Sequence, residues 1–129
     1  MASQNNVLTN ALRTRMAQLL AGKLSTVPKV KYLAVGSGGL DTSGNPTAPS
    51  GAETALQKEE GRYEVEDPTF PVDTTVRFAA VIPMADLAGK KLSEVGLFSE
   101  DNVLYAIRHM LPKQKDSDEE MEFTHDLEF

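Results

Sequence analysis

The sequence predicts an α+β domain, with an N-terminal amphipathic helix packed on a mainly antiparallel β-sheet of about five strands and a long Gly/Pro-rich loop. Three observations lead there. Residues 4–21 carry apolar side chains at helical spacing. The chain after Arg62 alternates apolar and polar residues in one short segment after another. Between them, residues 37–51 are mostly Gly, Pro, Ser, Thr and Asn. A length of 129 residues fits one domain, taken as 1–129, large enough to bury a core without cross-links. The absence of cysteine excludes disulfides, iron–sulfur clusters and thiolate zinc sites.

In 4–21, Val7, Leu8, Ala11, Leu12, Met16, Leu19 and Leu20 fall near one face of a 3.6-residue period. Asn5, Thr9, Asn10, Arg13, Thr14 and Gln18 take the other face. Ser3 or Asn5 is placed to cap the start, and Gly22 to stop the helix. A lone helix is marginal in water, so its apolar stripe calls for a partner surface. Residues 29–36 (K-V-K-Y-L-A-V-G) read as a strand, interior because both of its faces turn apolar after Tyr32. The 37–51 stretch follows as a loop, and 53–60 (E-T-A-L-Q-K-E-E) reads as a short helix ended by Gly61. Strands are expected at 62–66, at 74–82 up to Pro83, and at 92–98. After a tight turn at 99–102, residues 103–110 return antiparallel until Pro112 closes the strand. In 121–129, Met121, Phe123, His125, Leu127 and Phe129 share a face, which marks an ordered, half-buried last strand.

The net charge of −6 disfavours non-specific binding to nucleic acid, so no nucleic-acid partner is expected. Residues 116–122 (D-S-D-E-E-M-E) are acidic, whereas Arg13, Arg15, Lys23, Lys29 and Lys31 precede the first acid, Asp41. Such asymmetry either steers assembly between neighbours or is simply solvated surface. No apolar run reaches the eighteen or so residues of a membrane span, so no membrane insertion is expected. No secretion signal is visible.

No residue pattern supports chemistry. His109 and His125 are the only histidines and lack ligand spacing, so both read as structural. Gly36-Ser37-Gly38 begins a dinucleotide fingerprint, but Asp41 occupies its last glycine position. No serine sits in a nucleophile elbow, and the calcium-loop pattern is missing. The chain is therefore expected to be no enzyme and to carry no catalytic, cofactor-binding or metal residue.

Several short motifs occur in a definite order: Y-L-A-V-G-S-G at 32–38, A-E-T-A-L-Q-K-E at 52–59, A-A-V-I-P at 79–83, and L-S-E-V-G-L-F opening the hairpin at 92–107. This order resembles the N-terminal domain of phage tail-fibre proteins of the tail-collar type. In that family an Ala-Val-Gly-x-Gly segment leads through a Pro-rich loop to a Thr-x-Leu-x-x-Glu element. A strand ending Ile-Pro and a Glu-Ile/Val-Gly-Leu-Phe hairpin follow. Here Glu94, Val95, Gly96, Leu97 and Phe98 match the hairpin motif, and Thr54, Leu56 and Glu59 match the loop-exit element with looser spacing. The resemblance implies a structural subunit or adaptor that fixes a fibre or spike to the baseplate of a phage tail or related contractile particle. It also implies a location on the virion tail after synthesis in the bacterial cytoplasm. Its partners would be other tail or baseplate proteins, with a homotrimer as the expected oligomer.

On the residues themselves, Glu94 should face opposite Val95 and accept hydrogen bonds from loop amides around 36–39, pinning the loop. Gly96 should allow close backbone approach inside the sheet. The assembly or fold-defining candidates are Gly36, Gly38, Glu94, Gly96, Leu97 and Phe98, together with Phe123, Leu127 and Phe129 of the last strand. A second reading is a small-molecule or carbohydrate-binding module using the 37–51 loop, motivated by the loop's length and polarity.

Overall fold

Strands dominate the computed structural model, which describes residues 6–129. In chain order the elements are β1 (Asn6–Leu8), the helix α1 (Asn10–Leu20), β2 (Val30–Gly36), β3 (Glu59–Glu64), β4 (Thr69–Val72), β5 (Thr75–Ile82), β6 (Lys91–Ser99), β7 (Leu104–Gln114) and β8 (Met121–Glu128). The strands form a five-stranded sheet ordered β1-β7-β6-β2-β3 and a three-stranded sheet ordered β4-β5-β8. All pairings are antiparallel. Strand accounts for 47% and helix for 9% of the residues, so the α+β expectation is wrong and the fold is mostly β.

The expected long amphipathic helix is not there, and the reason is local. Asn6, Val7 and Leu8 pair with Arg108, Ile107 and Ala106 along the edge of β7, so Val7 and Leu8 belong to a strand. Thr9 then turns the chain. It is extended (φ −79°, ψ 159°), and its buried Oγ1 accepts from the Leu12 N–H and donates to the Leu104 carbonyl at 2.6 Å. The helix starts only at Asn10 and buries Leu12 alone, while Leu20 is 83% exposed. The proposed caps Ser3 and Asn5 lie outside the described residues. The end comes where the sequence puts it: Gly22 has φ +75°, its N–H reaches Leu19 O, and the Lys23 N–H reaches Gln18 O.

The short helix expected at 53–60 is also absent. The Gln57 and Lys58 N–H groups donate to a side chain of β6 instead of to a helical turn, and β3 begins at Glu59. Residues 69–72 form a strand that the alternation rule misses, because Pro71 interrupts it. Nor does Pro112 close β7, which runs on to Gln114. Pro112 lies between the Glu94–His109 and Leu92–Lys113 pairs, where β7 carries extra residues relative to β6. A residue without an N–H is tolerated in such a bulge. The interior placement of β2 between β6 and β3, the 99–102 turn with Asn102 at φ +66°, and the ordered last strand all agree with the sequence.

The five-stranded sheet is covered on both faces. Leu33, Val35, Val95, Leu97 and Ala106 meet Phe78, Ala80, Ile82, Phe123 and Leu127 of the other sheet. On the opposite face Ala34, Phe98, Leu104 and Ile107 are closed over by Leu56 from the loop, with Tyr32 alongside. Polar contacts join the sheets at their margins: the Glu66 N–H donates to Ala79 O at 2.8 Å, and Asn6 Nδ2 donates to Asp126 O at 3.3 Å.

Candidate functional site: the Glu94 loop anchor

Pairing of β2 with β6 sets Gly36 opposite Glu94 and Ala34 opposite Gly96. Strand alternation then sends Leu97 and Val95 toward the inter-sheet core and Glu94 and Gly96 toward the loop. Glu94 is fully buried. Its Oε2 accepts from the Gly38 N–H at 2.8 Å and the Lys58 N–H at 2.8 Å, and its Oε1 accepts from the Gln57 N–H at 2.9 Å. The expected acceptor role toward the 36–39 segment is therefore present, and the far end of the loop is tied to the same carboxylate. Charge-assisted bonds of this kind are the strong ones, and a buried carboxylate requires them.

Neighbouring side chains complete the clamp. Ser93 Oγ donates to Gly38 O at 2.7 Å, and the Gly39 N–H donates to Gln57 Oε1 at 2.6 Å. Thr47 returns the loop to its start, its N–H donating to Gly39 O at 2.9 Å. His109, paired across the ladder with Glu94, donates from Nδ1 to Thr47 O at 2.8 Å. Within the loop, Asp41 Oδ1 accepts the Ser43 and Asn45 N–H groups, an Asx turn that shapes the tip. Glu53 accepts the Ser50 and Gly51 N–H groups. Partial burial pushes its carboxyl pKa up, but those backbone bonds outweigh it and the pKa lies below the usual value. At the β3 side the Ser37 hydroxyl donates to Glu60, lowering that carboxyl, with Lys90 adding to the effect.

The glycines are required by space. A methyl group on Gly38 would lie 2.6 Å from both Glu94 Oε2 and Gln57 Cβ. One on Gly36 would lie 2.7 Å from Glu94 Oε2 and press on Lys58 O. Gly39 combines φ +77° with the His109 ring against its Cα. Gly96 admits Leu56 and Leu104, each within 2.8 Å of where a methyl group would sit. Beside Thr47, Glu53, Gln57, Ile107 and His109 the loop leaves a small hollow of about 300 Å³.

The candidate residues thus fall into separate places. Gly36, Gly38, Glu94, Gly96 and Phe98 share the loop-covered face, where the Arg62 guanidinium carbon stands 3.8 Å from the Phe98 ring centroid. Leu97, Phe123 and Leu127 lie in the inter-sheet core. Phe129, expected on the buried face of the last strand, lies beyond the end of β8 and is 66% exposed. Sequence reasoning missed Gln57, Ser93, Thr47 and His109 as members of the clamp. The signal for His109 is its cross-strand position to Glu94, which becomes visible only once the register shift between Leu97 and Phe98 is known.

A second buried polar group sits where β1 meets β8. His125 is fully buried and its Nε2 donates to Asn6 Oδ1 at 2.6 Å. Burial pushes its pKa down to about 3, and the Arg108 charge contributes, against a smaller upward pull from Asp126. Burial also lowers the Arg108 pKa. Asp126 points outward to Arg77, with Nε and Nη2 of the guanidinium at 2.8 and 3.0 Å from its carboxylate. Among the described residues no group of His, Asp and Glu is placed to hold a metal ion, and no helix is long and apolar enough to cross a membrane.

The family model for the N-terminal part of phage tail-collar fibre proteins matches residues 1–126. No curated protein matches the chain. The hairpin motif that carries the resemblance is the one that supplies Glu94, and the loop-exit element is the one that brings Leu56 and the Gln57 and Lys58 amides to it. The chain belongs to the phage tail-collar fibre protein family as its N-terminal domain, a structural component of the virion tail that interacts with other tail proteins.

Proposed function

We propose that the domain is an attachment module, an adaptor that fixes a fibre or spike to the baseplate of a phage or phage-like contractile tail. One observation carries this reading. The charged residue of the family's hairpin motif is spent wholly on backbone: the buried Glu94 carboxylate accepts three loop N–H groups. A carboxylate so engaged fixes a surface in one shape and has no lone pair aimed at a substrate. The histidines are used within the fold, His109 on the Thr47 carbonyl and His125 on the Asn6 side chain. The domain is accordingly a scaffold and no enzyme, its partners are baseplate and fibre proteins and not nucleic acid, and a homotrimer is the assembly that would match a three-fold fibre.

The test is reconstitution. The purified chain is mixed with tail or baseplate particles lacking it and followed by co-sedimentation, and its own mass is followed by native mass spectrometry. Saturable uptake at a fixed copy number per particle is expected. A chain that stays monomeric and sediments with no tail component would refute the reading.

A further inference from the structure

A groove of about 630 Å³ opens between α1, the segment before β2 and the end of the three-stranded sheet. Met16, Val30, Val76, Phe78, Leu127 and Phe129 line it, so its surface is mainly apolar. Its rim is acidic. Glu66, Asp67 and Glu100 border it and are exposed, and none of them takes part in an ion pair among the described residues. Of the two rim lysines, Lys31 stands 3.9 Å from Glu64, which leaves Lys29 against those three acids. Exposed apolar side chains also stand on the neighbouring edge strand β4, outside the groove lining. Thr69 pairs with Arg77 and Val72 with Thr75, which leaves Phe70 and Pro71 opposite Val76 of the groove wall. Phe70 is 66% and Val72 57% exposed. Large apolar side chains gathered at one edge and rimmed by charge mark an interaction site.

We infer that this groove receives a segment of another tail protein that presents aliphatic side chains flanked by lysine or arginine. The apolar wall supplies the affinity and the acidic rim selects the flank. A second copy of this chain is the poorer fit: its net charge of −6 would bring acid against acid. This assignment rests on the attachment reading and names the surface and partner chemistry for it.

The probe is a short capped peptide of leucine, valine and lysine, titrated into the full chain at low and high salt and followed by amide NMR shifts. Two control peptides replace the lysines by glutamate, or the leucine and valine by serine. Shifts centred on Val30, Val76 and Leu127 are expected with the basic aliphatic peptide. Both control peptides, added salt, and the rim variant Glu66→Lys/Asp67→Lys/Glu100→Lys should each weaken binding by about tenfold or more. Those rim positions are exposed, so the variant keeps the fold, and an unchanged amide spectrum elsewhere checks this. Shifts outside the groove, equal binding of all three peptides, or full affinity in the rim variant would overturn the inference. So would groove shifts that appear without peptide as protein concentration rises, which would assign the groove to a second copy. Co-sedimentation with tail particles separates the two proposals: uptake that survives the rim variant removes the groove and leaves the attachment reading intact.

Discussion

The two faces of the five-stranded sheet are held by different physics. Toward the three-stranded sheet, Leu33, Val95, Leu97, Phe78 and Phe123 interdigitate, and stability there is proportional to apolar area and indifferent to direction. Toward the loop, a smaller apolar set around Leu56 is joined by a carboxylate, a serine, a glutamine and a histidine, each bonded to loop backbone. The first face can be repacked, since cores accept volume-conserving exchanges. The second cannot, because each acceptor is matched to a particular N–H and each glycine is matched to a gap. A tail component needs a surface of fixed shape, and a long loop rich in glycine and proline gains one only through such directional bonds.

The largest effect expected from breaking this contrast is at Glu94. Glu94→Leu keeps the volume but leaves the part-buried Gly38, Gln57 and Lys58 N–H groups without their acceptor. At roughly 1–3 kcal/mol each, the loss is on the order of 3–9 kcal/mol, read as a fall in the urea midpoint. Proteolysis should shift to cuts within 37–58. Leu97→Ala on the other face should cost about 2–5 kcal/mol without new loop cleavage. Equal loop cleavage in both variants would show that the faces are not distinct. Gly38→Ala should cost about 1–3 kcal/mol, because the methyl group meets both Glu94 and Gln57. Gly44→Ala is the control for that substitution: no atom stands near its added methyl, but φ is +83°, so it measures backbone strain alone.

A smaller, pH-dependent effect belongs to the sheet junction. The His125 pKa is about 3 in the folded chain against 6.5 unfolded. The unfolded chain therefore binds the extra proton first as pH falls through 6.5, and stability drops with acid until the folded pKa is reached. Between pH 6.5 and 5 the loss is about 2 kcal/mol at 1.36 kcal/mol per unit. His125→Gln, which keeps a donor for Asn6, should flatten that slope in denaturation curves taken across this range. An unchanged slope would mean that His125 is not the group being charged.

How much of this was legible depends on the kind of interaction. Period-two alternation showed β5, β6 and β8 within about a residue, because each buries one face against a sheet. The hairpin register was not legible, since Tyr105 sits in a bulge that shifts every later pair. The helix was overread for a related reason. Val7, Leu8 and Leu12 fit a helical stripe, yet Asn6–Leu8 pair with the open edge of β7, a partner about a hundred residues along the chain that local periodicity does not reveal. The 53–60 segment has helix-forming residues, but its amides are claimed by Glu94, a partner far along the chain. Glu94 itself could be found, because a carboxylate between apolar strand residues must have donors, and the nearest glycine-rich backbone is the loop.

Backbone hydrogen exchange at Gly38, Gln57 and Lys58 tests the loop anchor most directly. Their N–H groups lie in irregular chain, and without the carboxylate they would exchange at the rate of an open loop. In the native protein they should exchange as slowly as the amides of the β6–β7 ladder, and Glu94→Gln should speed all three together while leaving the Leu97 and Ala106 amides protected. Fast exchange at those amides in the unaltered protein would contradict a loop held by Glu94.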